Sequence, residues 1–130
     1  LNPISRSLDK DKVNVYKSEP YVMVGDIYSN SQHMGRGGWS WYTGSAGWMY
    51  QVCIEDVLGL KKFAEYFTLE PVIPKSWKGF DMQYHHKGTN YNITVKRGSH
   101  KGLSQNGKVQ EDKKIKLIEN AGEVIVELVI

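Results

Sequence analysis

Thr43, Gly44 and Ser45 are three consecutive residues whose types could bind an anion. They stand before an apolar run with helical spacing, so we expect them at the start of a helix. A hydroxyl, a glycine backbone open to close approach and free N–H groups at the positive end of a helix dipole together suit a phosphate group. A threonine that merely caps a helix is the commoner arrangement. The residues alone leave both interpretations open.

This helix start lies in a stretch, residues 35–58, that combines tryptophan with glycine. It holds Trp39, Trp41 and Trp48, three of the chain's four tryptophans, together with five glycines. Such rings could form a platform for a sugar, and Trp41 is a candidate substrate contact. Aromatic side chains beside a buried helix belong to the protein core more often than to a sugar site.

The apolar run that follows, up to Leu58, predicts a helix that is buried on nearly all sides. Ala46, Tyr50 and Cys53 recur at spacings of four and three residues, and other apolar side chains fill the remaining faces. Gly59 suits the C-terminal end of that helix. The single cysteine, Cys53, cannot form an internal disulfide and is expected to be a buried packing thiol, in agreement with a reducing compartment.

Asp26 and Arg36 are further candidates for contacts with a substrate. Asp26 precedes the tryptophan-rich stretch and could bind a ligand hydroxyl, although a turn or a cap is at least as common a role for aspartate there. Arg36 lies among glycines and could hold a carboxylate or phosphate through two hydrogen bonds, while a structural tie between loops is equally typical. Glu55 and Asp56, on the polar strip of the predicted helix, are expected to pair with a neighbouring segment.

The four histidines do not form a metal-binding pattern. His85 and His86 are adjacent and would point to opposite faces of a strand, and neither a cysteine nor a third histidine follows at a ligand spacing. The sequence therefore predicts no metal site and no bound cofactor.

The composition excludes several classes of protein. At 130 residues and 14.8 kDa, with 40% apolar residues, the chain can form one domain, or a small domain with part of another. It has no apolar run of transmembrane length and no cleavable export signal, so we expect a cytoplasmic location without membrane contact. The net charge is only +3, and the lysines of residues 108–116 are interleaved with acidic residues, which favours a solvated surface over a nucleic-acid partner.

Two short helices are predicted before the tryptophan-rich stretch. The first follows Asp9 and ends before Ser18. The second has Pro20 in its first turn and would continue from Tyr21 to Ile27. Serine, asparagine and glycine then mark residues 29–38 as a loop.

After the predicted long helix, the apolar period changes to two, which is typical of strands. Lys87-Gly88 and Asn106-Gly107 each predict a hairpin, the first with one wet face. Residues 120–122 predict a third hairpin, between Lys113–Ile118 and Glu123–Val129. The last run is apolar on both faces and should be a central or sandwich-core strand. Several short strands with regular turns predict a small antiparallel two-layer β-sandwich.

Four segments of the chain carry a family resemblance: LNPI, YKSEPYVMVGDIYS, GRGGWSWYTGSAGWMY and IPKSWKGF. In this order, and followed by two alternating strands, they resemble the C-terminal end of glycoside hydrolase family 94. This family contains cellobiose and chitobiose phosphorylases, β-1,2-oligoglucan phosphorylases and cyclic β-1,2-glucan synthases. The likeness covers residues 1–97, and LNPI and EPYV favour the β-1,2-glucan members.

The resemblance implies a fold of mixed α and β class. Residues 1–58 would be the last segments of an (α/α)6 catalytic barrel, and residues 59–130 a C-terminal β-sandwich domain. A parent protein of the cyclic glucan synthase type would be associated with a membrane, although this segment would not contact it.

The resemblance also implies a reaction, the phosphate-dependent cleavage of β-glucosides with inversion. Inorganic phosphate is the co-substrate and takes the place of the water of an inverting hydrolase, while a carboxylic acid protonates the leaving oxygen. Thr43 and Gly44 match the residues that bind this phosphate. Where disaccharide phosphorylases have a glutamine, this chain reads Val24-Gly25-Asp26, and Asp26 is taken as a sugar contact by its position only.

The catalytic acid of the family belongs to an upstream barrel segment. This chain would accordingly hold no catalytic residue. We expect a fragment that is inactive alone, whose barrel-facing apolar surface is either exposed or covered by self-association in a homo-oligomer.

A function of a different class is also open. Trp77, Tyr84 and Tyr91 are expected on a wet strand face, which favours a non-catalytic carbohydrate-binding or structural β-sandwich module. In either case the expected partner is a β-glucan or an oligosaccharide. For a phosphorylase fragment, the missing catalytic barrel is a further partner.

Overall fold

The computed structural model describes residues 2–41 and 43–130. They form two compact units, Leu1–Val52 and Cys53–Ile130. The first unit contains the helices and a short β-ribbon, and the second contains two β-sheets. The chain is therefore of mixed α and β class, with sheets that are mostly antiparallel.

The first helix, α1, spans Lys10–Tyr16 and confirms the predicted helix between Asp9 and Ser18. The Asp9 carboxylate caps it by accepting a hydrogen bond of 2.8 Å from the Lys12 amide. Lys17 ends it in the left-handed conformation, with φ of 53°.

The predicted helix from Tyr21 to Ile27 is wrong. This segment runs without helix into strand β1, Asp26–Ile27, which pairs with strand β2, Gly37–Gly38. Val22 and Val24 are both buried, with a half-buried residue between them, so their spacing of two reflects extended chain rather than a helix turn.

The second helix, α2, spans Thr43–Val52 and ends the first unit. Contrary to the prediction, it is largely exposed: Trp48 is 69% and Tyr50 71% accessible. The apolar pattern of α2 is thus not matched by burial of these two side chains among the described residues.

The second unit begins with a π-helical turn, Cys53–Val57, closed by a hydrogen bond of 2.9 Å from the Leu58 amide to the Cys53 carbonyl. Cys53 is exposed, so the predicted buried thiol is wrong. Gly59 has φ of +79° and ends the turn as predicted. Asp56 forms an ion pair of 3.1 Å with Lys61, which confirms its pairing with a neighbouring segment.

Eight strands complete the second unit. A three-stranded sheet has the order β3-β4-β9, and a five-stranded sheet has the order β5-β6-β10-β7-β8. The strands span Leu60–Lys62 (β3), Tyr66–Leu69 (β4), Gly79–His86 (β5), Thr89–Lys96 (β6), Gly102–Gln105 (β7), Lys108–Val109 (β8), Lys114–Lys116 (β9) and Gly122–Val129 (β10).

Both sheets contribute side chains to one apolar core. Phe67 and Ile115 of the smaller sheet and Tyr91, Ile93 and Val126 of the larger sheet are at most 1% exposed and belong to the same cluster. Two sheets that share a core are compatible with the predicted small two-layer β-sandwich.

The first two predicted hairpins are confirmed. Lys87 and Gly88 connect β5 to β6, and Asn106 and Gly107 connect β7 to β8. All four residues have positive φ, between 44° and 76°, as a two-residue turn between twisted strands requires.

The third predicted hairpin, around residues 120–122, is wrong. The strands before and after it belong to different sheets, because β9 pairs with β4 whereas β10 pairs with β6 and β7. The pairing of β10 with β6 is parallel, so the expectation of a wholly antiparallel sandwich is also corrected. β10 lies at the centre of its sheet, as its apolar composition predicted.

The predicted wet aromatic face is wrong for two of its three residues. Tyr91 is fully buried, and half-buried Tyr84 packs edge-on against Phe67 with ring centroids 5.6 Å apart. Only Trp77, at 44% accessible, is exposed. Alternation does place Tyr84 and Tyr91 on the same face of the hairpin, but that face is turned inward.

Candidate functional site

A cleft of about 390 Å³ lies beside the first turns of α2 in the first unit. One wall is the extended segment before β1, and the other is α2. The Ser45 hydroxyl joins the two walls by donating a hydrogen bond of 3.3 Å to the Met23 carbonyl. The lining consists of Met23, Val24, Gly25, Gly44, Ser45, Trp48, Met49 and Val52.

Gly44 is exposed in the first turn of α2, next to this cleft. The first amides of a helix have no intrahelical acceptor, so this end of α2 can donate hydrogen bonds to a ligand. Thr43 is the first helical residue, whereas its side chain, like all of Tyr42, lies outside the described residues. The proposed role of the Thr43 hydroxyl therefore stays a prediction.

Asp26 is the first residue of β1, and Arg36 lies directly before β2. Beyond the paired residues, the Tyr28 amide donates to the Arg36 carbonyl at 2.9 Å, and the Gly25 amide donates to the Trp39 carbonyl at 3.1 Å. The ribbon thus carries the chain from the cleft wall at Gly25 back to the tryptophan-rich segment before α2.

The Asp26 carboxylate lies against Gly38, its partner in the ribbon. A Cβ atom built on Gly38 would come within 2.3 Å of Asp26 Oδ1 and 2.8 Å of Tyr28 Cε1. Because residue 38 is a glycine, the Asp26 and Tyr28 side chains can lie directly against β2. Asp26 follows directly after the cleft residue Gly25, and its contact with a sugar stays a prediction.

Arg36 lines a different cleft from Gly44. Its cleft measures about 250 Å³ and contains Lys17 and His33, and its walls are the end of α1 and the loop between β1 and β2. The two clefts have no lining residue in common. Arg36 therefore lines a cleft of its own, and its contact with a substrate stays a prediction.

Trp41 is 68% exposed and is contacted by two side chains, Glu19 and Tyr21. Its indole N–H donates a hydrogen bond of 3.2 Å to Glu19 Oε1. The Tyr21 ring meets it edge-to-face, with centroids 6.1 Å apart and an interplanar angle of 69°. Sequence reasoning missed Glu19, because 22 residues separate it from Trp41 and no local pattern links them.

The backbone around this tryptophan is unusual. Trp39 and Trp41 both have positive φ, 49° and 66° respectively. Bulky side chains rarely adopt this left-handed conformation, and it is found where the surroundings hold the chain in place, often at functional sites.

Burial affects one further residue of the first unit. Tyr16 is 1% accessible, and its hydroxyl has no hydrogen-bond partner among the described residues. Desolvation raises the pKa of Tyr16 above its ordinary value, and the nearby Arg6 guanidinium, 5.9 Å from the ring centroid, opposes this rise. The phenol therefore remains neutral at physiological pH.

Among the residues that the structure describes, no three histidine, cysteine or carboxylate side chains lie close enough to hold a metal ion. Within residues 2–41 and 43–130, no helix combines the length and the apolar character needed to cross a membrane.

Comparison with known proteins identifies the family. The family model described as "Glycosyl hydrolase 94 superfamily, catalytic domain" matches residues 1–59. The chain is 42% identical over 102 residues to a cyclic β-(1,2)-glucan synthase of Rhizobium meliloti, a match that covers 78% of this chain and 4% of the synthase. It is 32% identical over 106 residues to an N,N′-diacetylchitobiose phosphorylase of Vibrio furnissii, covering 79% of this chain and 13% of the enzyme.

A solabiose phosphorylase of Paenibacillus borealis is 27% identical over 79 residues, covering 60% of this chain and 10% of the enzyme. The chain thus spans between 4% and 13% of the length of these three relatives. The cleft beside α2 lies within the segment that the family model matches. The chain belongs to glycoside hydrolase family 94, with residues 1–59 in its catalytic domain.

Proposed function

We propose that this chain is the C-terminal part of a phosphorylase of family 94, which cleaves β-glucosides with inorganic phosphate and inverts the anomeric configuration. The chain supplies part of the phosphate site through Thr43 and Gly44. The observation that carries this proposal is the position of Gly44, in the exposed first turn of α2 and beside an open cleft.

The role of this helix start is to hold the attacking group. A phosphate oxygen attacks the anomeric carbon while a carboxylic acid protonates the leaving glycosidic oxygen, so phosphate does what water does in an inverting hydrolase. Amides at the positive end of α2 orient the phosphate and offset its charge without taking part in proton transfer. The carboxylic acid comes from outside these residues, and we propose that the chain alone has no turnover.

The exposed side chains of α2 support the view that more protein packs here. Trp48, Tyr50 and Val52 are 69%, 71% and 37% accessible on a helix whose composition is that of a buried one. We propose that the rest of the catalytic domain covers these faces, and that an isolated chain buries them by self-association instead.

The substrate we propose is a β-glucan or an oligosaccharide, with β-1,2-linked glucose as the leading choice. The support comes from the synthase that is 42% identical to this chain, because its name refers to β-(1,2)-glucan. The two phosphorylases are named for chitobiose and solabiose, which are other sugars.

The alternative of a carbohydrate-binding β-module has lost most of its support. It depended on Tyr84 and Tyr91 at a wet surface, and both pack in the interior of the second unit. On the outer face of β5 and β6, Gln83 donates to Asn92 at 3.1 Å and Thr94 donates to Asp81 at 2.7 Å, so these polar groups already have partners.

The test uses the intact protein that carries this chain. Thr43→Val removes the hydroxyl from the proposed phosphate site, and we expect the KM for phosphate to rise by about tenfold, as the loss of a hydrogen bond to a charged group would predict. Thr68→Val makes the same chemical change on β4 and should leave this KM unaltered, because valine suits a strand. Unchanged phosphate kinetics in the Thr43 variant would contradict the proposal.

A further inference from the structure

We propose that Glu19 is a positioning residue, which orients the Trp41 indole ring for stacking on a sugar ring of the substrate. This inference rests on the part of the proposed function that gives the protein a saccharide substrate. It adds a residue that lies outside the phosphate site, on the segment between α1 and β1.

The first argument is the conformation of Trp41. With φ of 66°, its backbone occupies a region that a bulky side chain avoids, and Trp39 two residues earlier does the same with φ of 49°. Such a conformation persists only where other contacts hold it. In this chain the Trp41 side chain is also 68% exposed.

The second argument is the contact that holds the ring. The indole N–H of Trp41 has a charged acceptor, Glu19 Oε1, at 3.2 Å. Hydrogen bonds to carboxylates are stronger than those between neutral groups and fix the donor's direction. Because the N–H lies in the ring plane, this bond and the edge-to-face contact with Tyr21 limit rotation of the indole.

The third argument is what remains open. A tryptophan anchored at its N–H still offers ring surface to a ligand, and at 68% exposure most of that surface is accessible. The apolar C–H face of a glucose ring is a suitable partner for an aromatic ring, whereas its hydroxyls need polar groups at the rim. A ring held in advance loses less conformational entropy on binding than a mobile one.

Glu19 has no ion pair with a lysine or arginine among the described residues. Its described side-chain contact is the indole N–H. The carboxylate is thus assigned to Trp41 rather than to a salt bridge that stabilises the fold.

The experiment is a double-mutant cycle in the intact protein, with calorimetric titration of a β-1,2-linked gluco-oligosaccharide as the readout. Glu19→Leu removes the acceptor, Glu19→Gln keeps a neutral one, and Trp41→Phe keeps a ring but removes the N–H. We expect Glu19→Leu to weaken saccharide binding by roughly 3- to 10-fold and Glu19→Gln by no more than about 2-fold. In the Trp41→Phe background, Glu19→Leu should have no further effect.

Two controls separate a positioning role from a structural one. The affinity for inorganic phosphate should be the same in the Glu19→Leu variant and the wild type, and Glu65→Leu, at an exposed glutamate of the second unit, should change neither affinity. The inference is overturned if Glu19→Leu binds saccharide like the wild type or lowers both affinities equally. It is overturned as well if Glu19→Leu still weakens saccharide binding in the Trp41→Phe background. It is also overturned if the wild type does not bind the saccharide.

The outcome for Glu19 is distinguishable from that of the phosphorylase proposal. If the wild type binds saccharide but cleaves it without any dependence on phosphate, the proposed reaction fails. The role of Glu19 is still tested in that case, because the double-mutant cycle measures saccharide affinity only. If cleavage requires phosphate and Glu19→Leu binds saccharide normally, the reaction stands and the positioning role is rejected.

Discussion

The hydroxyl of Tyr91 accepts a hydrogen bond of 2.6 Å from the amide of Ile118. Tyr91 lies on β6 of the five-stranded sheet, and Ile118 follows β9 of the three-stranded sheet. The same hydroxyl lies 3.2 Å from the Lys116 carbonyl, to which it can donate. One buried phenol therefore ties the two sheets of the second unit together.

Removing this hydroxyl should destabilise the second unit. Tyr91→Phe keeps the buried ring but leaves the Ile118 amide without its partner, which should lower the free energy of unfolding by about 1–3 kcal/mol. The measurement is urea unfolding followed by circular dichroism. Tyr66→Phe, whose half-buried ring stacks on Phe63, is the matched control and should cost less than about 0.5 kcal/mol. Equal stability of the two variants would show that the bond to Ile118 does not stabilise the fold.

Gly59 should tolerate no side chain. A Cβ atom there would lie 2.2 Å from the carbonyl carbon of Glu70, and the residue also has φ of +79°. Backbone strain and overlap together predict a loss of about 2–6 kcal/mol for Gly59→Ala in the same unfolding experiment.

Gly102→Ala is the control for Gly59. A Cβ atom at Gly102 meets nothing within 4 Å, and the residue begins a strand. Alanine should therefore be neutral or stabilise the protein by up to about 1 kcal/mol. If Gly102→Ala loses as much stability as Gly59→Ala, the close approach of the Glu70 backbone is not what requires glycine at position 59.

Arg36 should not contribute to phosphate binding. It lines the cleft with Lys17 and His33, whereas Gly44 lines a different cleft of the first unit. In the intact protein, Arg36→Met should change the KM for phosphate by less than about twofold, since a residue without contact to the ligand contributes little to its binding. A rise comparable to that expected for Thr43→Val would mean that Arg36 reaches the phosphate after all.

The cap of α1 should respond to pH. The hydrogen bond from the Lys12 amide, followed by the contact with the Lys12 side chain, lowers the pKa of Asp9 below its ordinary value. A carboxyl group whose pKa is lower in the folded state contributes stability above its unfolded pKa, and this contribution disappears as the pH falls through the folded pKa. Helix α1 should accordingly fray at acidic pH.

The measurement for Asp9 is the chemical shift of the Lys12 amide as a function of pH. The chemical shift of this amide should change with pH, with a midpoint below the ordinary pKa of an aspartate. Asp9→Asn retains a good capping oxygen without a titratable group, and its Lys12 amide should give a flat curve over the same range. A wild-type midpoint at or above the ordinary value would contradict the cap seen at 2.8 Å.

Local chemistry made some elements predictable. The turns at Lys87-Gly88 and Asn106-Gly107 need positive φ, which glycine and asparagine adopt more readily than other residues. Asp9 caps α1 through an amide only three residues away. Such features depend on a few neighbouring residues, so the sequence is sufficient to predict them.

Other features depend on contacts between distant residues. Alternation showed that Tyr84 and Tyr91 share a face, but it could not show that this face is the inner one, because the covering strands β4 and β9 come from elsewhere in the chain. The parallel pairing of β10 with β6 was missed for a related reason, as a nearby turn signal favours a hairpin while the register is decided by the whole sheet.

The sequence by itself determined the family, since the segments around the tryptophan-rich stretch are specific enough to identify it. It also offered candidates for phosphate binding, whose role stays a prediction. Only the tertiary structure decided which of these residues meet. It placed Arg36 and Gly44 in the linings of different clefts and brought Glu19 to Trp41 across 22 residues. The physical reason is that residue type and spacing determine what a side chain can bind, whereas the folding of the backbone determines which other side chains lie within a few ångströms of it.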